Sequence, residues 1–130
     1  MRRLMLMMGM VMLIAVMATG VAIAATKTCN DIPCKGTDND DVLHEREGTV
    51  RDAIYGYKGN DLLDANNYFS DRDRLYGGDQ GDKLLANDQD GRDVLRGGMG
   101  RDRCYGDSGD RFVNCEVVRR LAPTAAAQDF

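Results

Sequence analysis

The chain has 130 residues, 17 Lys and Arg against 21 Asp and Glu, and a formal charge of −4. Its length fits one small domain, and net negative charge with interspersed Arg argues against nucleic acid as a main partner. A single His, His44, and no activated Ser or Cys constellation leave no catalytic set, so no enzyme is expected.

The chain opens with Arg2 and Arg3, an apolar run from Leu4 to Val21, and the small residues Ala22-Ile23-Ala24. This reads as a signal peptide over residues 1–25, cut after Ala24 or Ala25, which places the protein outside the cell. The alternative is an uncleaved N-terminal membrane anchor with the remainder facing outside, since the run approaches a membrane span. Cleavage removes seven of the eight Met, and loss of two Arg takes the charge from −4 to −6. About 105 residues remain, sparse in apolar side chains, and small domains with thin cores need staples or metals.

Residues 26–35 are expected to form an N-terminal cap containing Cys29 and Cys34; Cys104 and Cys115 sit near the other end. Four Cys in an exported chain point to disulfides. Three connectivities exist on paper. Pairing Cys29 with Cys34 and Cys104 with Cys115 is favoured, because each local pair brackets one end of the intervening segment.

That segment, residues 36–110, repeats itself. Gly36-Thr37-Asp38-Asn39-Asp40-Asp41, Gly56-Tyr57-Lys58-Gly59-Asn60-Asp61, Gly77-Gly78-Asp79-Gln80-Gly81-Asp82 and Gly97-Gly98-Met99-Gly100-Arg101-Asp102 share one template. Each is a six-residue loop ending in Asp, with an inward residue two places on. Asp52, Asp73 and Asp93 end three longer, degenerate units between them. The resulting spacings of 11, 9, 12, 9, 11 and 9 pair into coils of 20 or 21 residues. The expected fold is an all-β parallel β-roll, or β-solenoid, of about four coils, built from six-residue loops and three-residue strands. Leu43, Ile54, Leu63, Leu75, Leu84 and Leu95 should stack as inward rows, since one coil cannot bury its own row. Lys83, Arg74 and Arg103 should face out, and Tyr55, Tyr76 and Tyr105 should cover the outer strand faces.

The alternation separates two edges. On the compact edge, Gly at the first, second and fourth positions permits positive torsions that turn carbonyl oxygens into the gap between coils. Asp at the sixth position adds a carboxylate, and such an oxygen-rich gap suits Ca²⁺ better than Mg²⁺. The same bias shows in composition, with 18 Asp against 3 Glu. The ligand set read here is Gly36, Asp38 and Asp41; Gly56, Lys58, Gly59 and Asp61; Gly77, Gly78, Asp79 and Asp82; and Gly97, Gly98, Gly100 and Asp102. Four stacked loops leave three gaps, hence about three Ca²⁺. At the fourth position Gln80 tolerates a left-handed torsion poorly, and Gly81 is expected to absorb the strain.

The other edge carries insertions at His44–Gly48, Ala65–Ser70 and Ala86–Gly91, and places Arg51, Arg72 and Arg92 before its Asp residues. It reads as a surface ladder of Asp and Arg, with Asp52, Asp73 and Asp93 as secondary metal candidates. Any cell-surface or extracellular partner would sit here. His44 reads as a surface loop residue.

The four Gly/Asp segments resemble the hemolysin-type, or repeats-in-toxin (RTX), calcium-binding nonapeptide. The resemblance spans roughly Gly36 to Asp110, and the run from Arg101 to Glu116 resembles the terminal unit of small secreted members that close with a Cys pair. It implies a calcium-dependent β-roll that is largely unfolded without the ion. Thr37 and Tyr57 depart from Gly at the second position. The last loop, Gly106 to Asp110, is one residue short and reads as a cap rather than a binding loop. Residues 111–120 should form a capping strand, and 121–130 a frayed tail.

Overall fold

The computed structural model describes residues 24–29, 33–45, 51, 53–66 and 72–121. The expected signal segment through residue 23, residues 30–32 of the expected cap, residues 46–50 and 67–71, which include parts of the first two insertions, Asp52 and the tail beyond residue 121 lie outside the described residues. Every regular element among the described residues is a strand.

The strands form two parallel sheets. The first is ordered β1 (Thr26–Cys29), β3 (Val42–Glu45), β5 (Leu62–Asp64), β7 (Lys83–Ala86), β9 (Arg103–Asp107) and β11 (Val117–Leu121). The second is ordered β2 (Cys34–Lys35), β4 (Ala53–Lys58), β6 (Arg74–Asp79), β8 (Val94–Met99) and β10 (Arg111–Val113). Successive strands alternate between the sheets, so the chain winds as a β-solenoid of about four turns.

Register follows from the period. Val42 pairs with Leu62, Leu62 with Lys83, and Lys83 with Arg103, which are steps of one coil. Side chains alternate across each strand, so the residue two places after each Asp always lands inside. Leu43, Leu63, Leu84 and Cys104 form one inward row, and Ile54, Leu75 and Leu95 form the facing one. All seven are fully buried. Phe112 continues the second row at the C-terminal end and packs against the core.

The two sheets differ in a way the three-residue strand rule misses. The first sheet keeps short strands around its inward residue. In the second, β4, β6 and β8 each run six residues, through the first three positions of the following compact loop. Glycine permits this, because Gly56, Gly77 and Gly97 are buried where a side chain would meet the neighbouring backbone.

Cys29 is bonded to Cys34, and Cys104 to Cys115. The first bond links the opening strands of the two sheets. The second ties β9 to the segment between β10 and β11, where the closing coil is shorter than the others. Such staples restrict the unfolded chain and offset a core only two rows wide.

Outer faces match expectation, with Lys83, Arg74 and Arg103 exposed. Tyr55 and Tyr76 stack with ring centroids 4.7 Å apart on the second sheet, whereas Tyr105 lies on the first sheet beneath Lys83. His44 is not a loop residue. It belongs to β3, and its Nδ1 lies 3.2 Å from Asp64 Oδ2 one coil on.

Candidate metal centre

On the compact edge the four sixth-position Asp residues form a buried row. Asp41, Asp61, Asp82 and Asp102 are at most 2% exposed. Each carboxylate reaches back one coil. The N–H of Asp41 donates to Asp61 Oδ1, that of Asp61 to Asp82 Oδ1, and that of Asp82 to Asp102 Oδ1, each at 2.8 Å. Ala25 N–H donates to Asp41 Oδ1 at one end, and Asp102 N–H to Glu116 Oε2 at the other. Glu116 therefore closes the row in place of a further Asp, a role its position in the capping segment did not reveal.

The second oxygen of each carboxylate tells more about the ligand. Oδ2 of Asp61, Asp82 and Asp102 is buried without a hydrogen-bond partner. A desolvated carboxylate oxygen in that position is costly unless a cation or proton compensates it. Burial accordingly pushes the Asp61 carboxyl up from 3.8 to about 6 and that of Asp82 to about 7. Hydrogen bonds from backbone N–H groups oppose the rise, and neighbouring carboxylates add to it. Asp102 is raised as well, burial again leading.

The carboxylates sit against glycine. A Cβ at Gly36, Gly56, Gly77 or Gly97 would strike the Oδ2 of the Asp five residues on. At Gly77 it would also stand 2.5 Å from the Gly97 carbonyl oxygen. We expect Gly77→Ala to lose both calcium binding and cooperative folding. Calcium titration followed by circular dichroism checks this, and a variant that still folds on calcium like the parent contradicts it.

Loop torsions explain the remaining positions. Tyr57 and Gly59, Gly78 and Gln80, and Gly98 and Gly100 all have positive φ. Gln80 itself adopts φ 81°, so Gly81 does not absorb the strain on its behalf. The carbonyls of Asn39, Tyr57, Gly78 and Gln80 abut the next coil's Gly59, Gly78, Gly98 and Gly100, which places them in the gaps between coils. Thr37 and Asn39 in the first loop lack the positive φ of the other three. There Thr37 instead wraps Asp41 with its N–H and hydroxyl.

Third-position residues face outward as a row in which Lys58 pairs with Asp79 and Asp79 with Met99 in register. The Asp38 carboxylate is 2.9 Å from the Lys58 ammonium, and both side chains are largely exposed. Asp38 and Lys58 thus meet each other at the surface, and only their backbone oxygens remain as candidate ligands.

On the longer edge the described Asp residues are interior groups rather than the surface ladder expected. Arg51, Arg72 and Arg92 are exposed, but Asp73 and Asp93 are buried at 0% and 1%. Each of these Asp residues turns inward and repeats the hydrogen bonding of the compact edge. Asp73 N–H donates to Asp93 Oδ1 at 2.8 Å, and Asp93 N–H to Asp110 Oδ1 at 3.0 Å. Asp110 belongs to the short last loop and carries this second spine to its end. Asp52 lies outside the described residues.

Buried carboxylates beside inward-turned carbonyls, repeated at one coil spacing, form an all-oxygen donor set that fits a hard divalent cation. The family model for the RTX calcium-binding nonapeptide repeat, in four copies, matches residues 49–67 and 86–113 of this chain. No curated protein and no solved structure matches the chain.

Proposed function

We propose that the chain is a secreted calcium-ion-binding repeat protein whose β-roll folds on Ca²⁺ held between stacked Gly/Asp loops. The observation that carries this reading is the row of unpartnered, buried Oδ2 atoms on Asp61, Asp82 and Asp102. In this reading the Asp carboxylates and the loop carbonyls hold about three ions along the compact edge. The ion supplies positive charge to a row of carboxylates that otherwise repel one another. Its binding energy is then part of the folding energy.

Two disulfides and the repeat family are consistent with a location outside the cell. Free Ca²⁺ there, about 10⁻⁴ to 10⁻³ M, matches the affinity range of extracellular calcium modules. Export before folding follows from the same chemistry, because low internal Ca²⁺ leaves the carboxylates uncompensated.

Asp61→Asn with Asp82→Asn keeps size and an amide oxygen for the backbone N–H while removing two charges. Equilibrium dialysis of the full chain should show it binding fewer Ca²⁺, by about one or two ions per chain. An unchanged count contradicts the compact-edge assignment. A second reading, in which calcium is structural and the long edge engages a partner, draws support from one feature. Arg51, Arg72, Arg74 and Arg92 line a common groove of about 510 Å³ there. Calcium-dependent retention on cell-envelope material, lost on Arg72→Ala with Arg92→Ala, would favour it.

A further inference from the structure

The fold turns many of the acids inward: Asp41, Asp61, Asp73, Asp82, Asp93 and Asp102 are at most 2% exposed. Cations stay outside, and the outer face of the second sheet collects them. One register row across that face reads Ala53, Arg74, Val94 and Arg111, and the next reads Lys35, Tyr55, Tyr76, Arg96 and Val113. Neither row contains an acid. The first sheet mixes its charges instead, with Asp64 between His44 and Leu85.

Arg51, Arg72 and Arg92 border the cationic face one coil apart. With Arg74 they line the long-edge groove of about 510 Å³, and Ala53 and Val94 lie between them. Asp73 also lines the groove, but at 0% exposure. All seven cations of the face and groove are exposed. Among the described residues the ion pairs are His44 with Asp64 and Lys58 with Asp38, so none of the seven is paired with an acid there. A chain of formal charge −4 thus turns a cationic surface outward. Like charges one coil apart, about 4.8 Å, repel. A ligand with anions repeated along the same axis relieves that repulsion.

The column of rings narrows the class of polyanion. Tyr55 stacks on Tyr76 with centroids 4.7 Å apart, and Tyr57 on Tyr55 at 6.1 Å. On the other side of Tyr76, one coil on, the Arg96 guanidinium lies 5.8 Å from the ring centroid. Single-stranded nucleic acid is held by bases stacking on free aromatic faces, whereas these rings face one another. A membrane surface is held by exposed apolar side chains beside the cations. Among the described residues the exposed large apolar side chains are Tyr57, Met99, Val118 and Leu121, and none is in either row. A linear polysaccharide bearing carboxylates needs neither feature. Each of its sugars advances by about the spacing of one strand, and guanidinium groups grip carboxylates with two parallel hydrogen bonds.

We propose that the outer face of the second sheet, with the Arg groove at its border, is a docking surface for a linear carboxylate-bearing polysaccharide lying along the solenoid axis. This deepens the reading in which the long edge engages a partner, on which it rests, and names that partner's chemistry. In that reading calcium stacks the coils that set the Arg spacing.

The test measures, by titration calorimetry in Ca²⁺, the affinity of the full chain for hyaluronan oligosaccharides, with neutral dextran as the blank. Arg72→Ala/Arg92→Ala and Arg74→Ala/Arg111→Ala each remove two cations from the surface. Lys83→Ala/Arg103→Ala removes two from the first sheet, and circular dichroism in Ca²⁺ verifies each fold. We expect either face variant to bind roughly tenfold more weakly and the first-sheet variant to bind as the parent does. Added salt should weaken parental binding. Parental affinity in both face variants overturns the proposal, as does tighter parental binding to single-stranded DNA or to phosphatidylserine vesicles. A folded parent that ignores hyaluronan overturns it too. Retention of that same parent on cell-envelope material would leave the partner reading standing with a different chemistry.

Discussion

Removing calcium at mildly alkaline pH should unfold the β-roll, and lowering the pH should partly restore it without the metal. The sign follows from the carboxyl groups. Burial raises Asp61 to about 6, Asp82 to about 7 and Asp93 to about 9, against 3.8 for an unperturbed Asp. A carboxyl with a higher pKa folded than unfolded binds protons more tightly in the folded state. Its stabilising contribution is complete below the unfolded value and disappears as pH rises through the folded one. Three such groups spread the loss between roughly pH 4 and pH 9. With EGTA, the thermal midpoint followed by circular dichroism should therefore be higher near pH 5 than near pH 8. Millimolar-range Ca²⁺ should reverse that order, because the ion requires the ionised carboxylates that protons neutralise. A calcium-free chain that keeps identical β-sheet spectra at both pH values would refute metal-coupled folding.

The second large effect is expected in the core. Leu84 is fully buried between Leu63 and Cys104 in its row, with β7 paired on both sides. Truncation to Ala leaves a cavity in an interior only two rows wide, and such changes cost about 2–5 kcal/mol. Small domains have about 5–15 kcal/mol in total, and a solenoid transmits the loss to neighbouring coils because each is stabilised by the next. Leu84→Ala should need more Ca²⁺ to fold and melt well below the parent at saturating Ca²⁺. A melting midpoint unchanged from the parent would show that the inward row does not carry the stability.

Much of this was legible in the chain because each coil repeats the same local rules. The inward position two residues after each Asp is a matter of strand alternation, and Leu43, Ile54, Leu63, Leu75, Leu84 and Leu95 obey it. The coil length of 20 or 21 residues appears unchanged as strand register. The local Cys pairs form as their positions at the two ends implied.

Other features depend on contacts one coil apart, which spacing does not rank. Arg72 next to Asp73 looked like a surface pair, but stacking drew the Asp inward, where its N–H donates to Asp93 one coil on. Gln80 looked unsuited to its loop, yet packing against the next coil holds it at positive φ. Glu116 replaces Asp at the end of one column because the closing coil is shorter and a longer side chain must span it.

The sequence by itself determined the period, the inward rows and the glycine-rich edge, since these rest on local torsions and strand alternation, and it favoured the local Cys pairing. Only the tertiary structure decided which oxygens are left without donors and which carboxylates converge. Asp73, Asp88, Asp90, Asp93 and Asp110 span three successive loops of the long edge. Their oxygens gather into two groups, Asp73 with Asp88 and Asp93, and Asp90 with Asp93 and Asp110, only when those loops are stacked at the spacing of a parallel sheet.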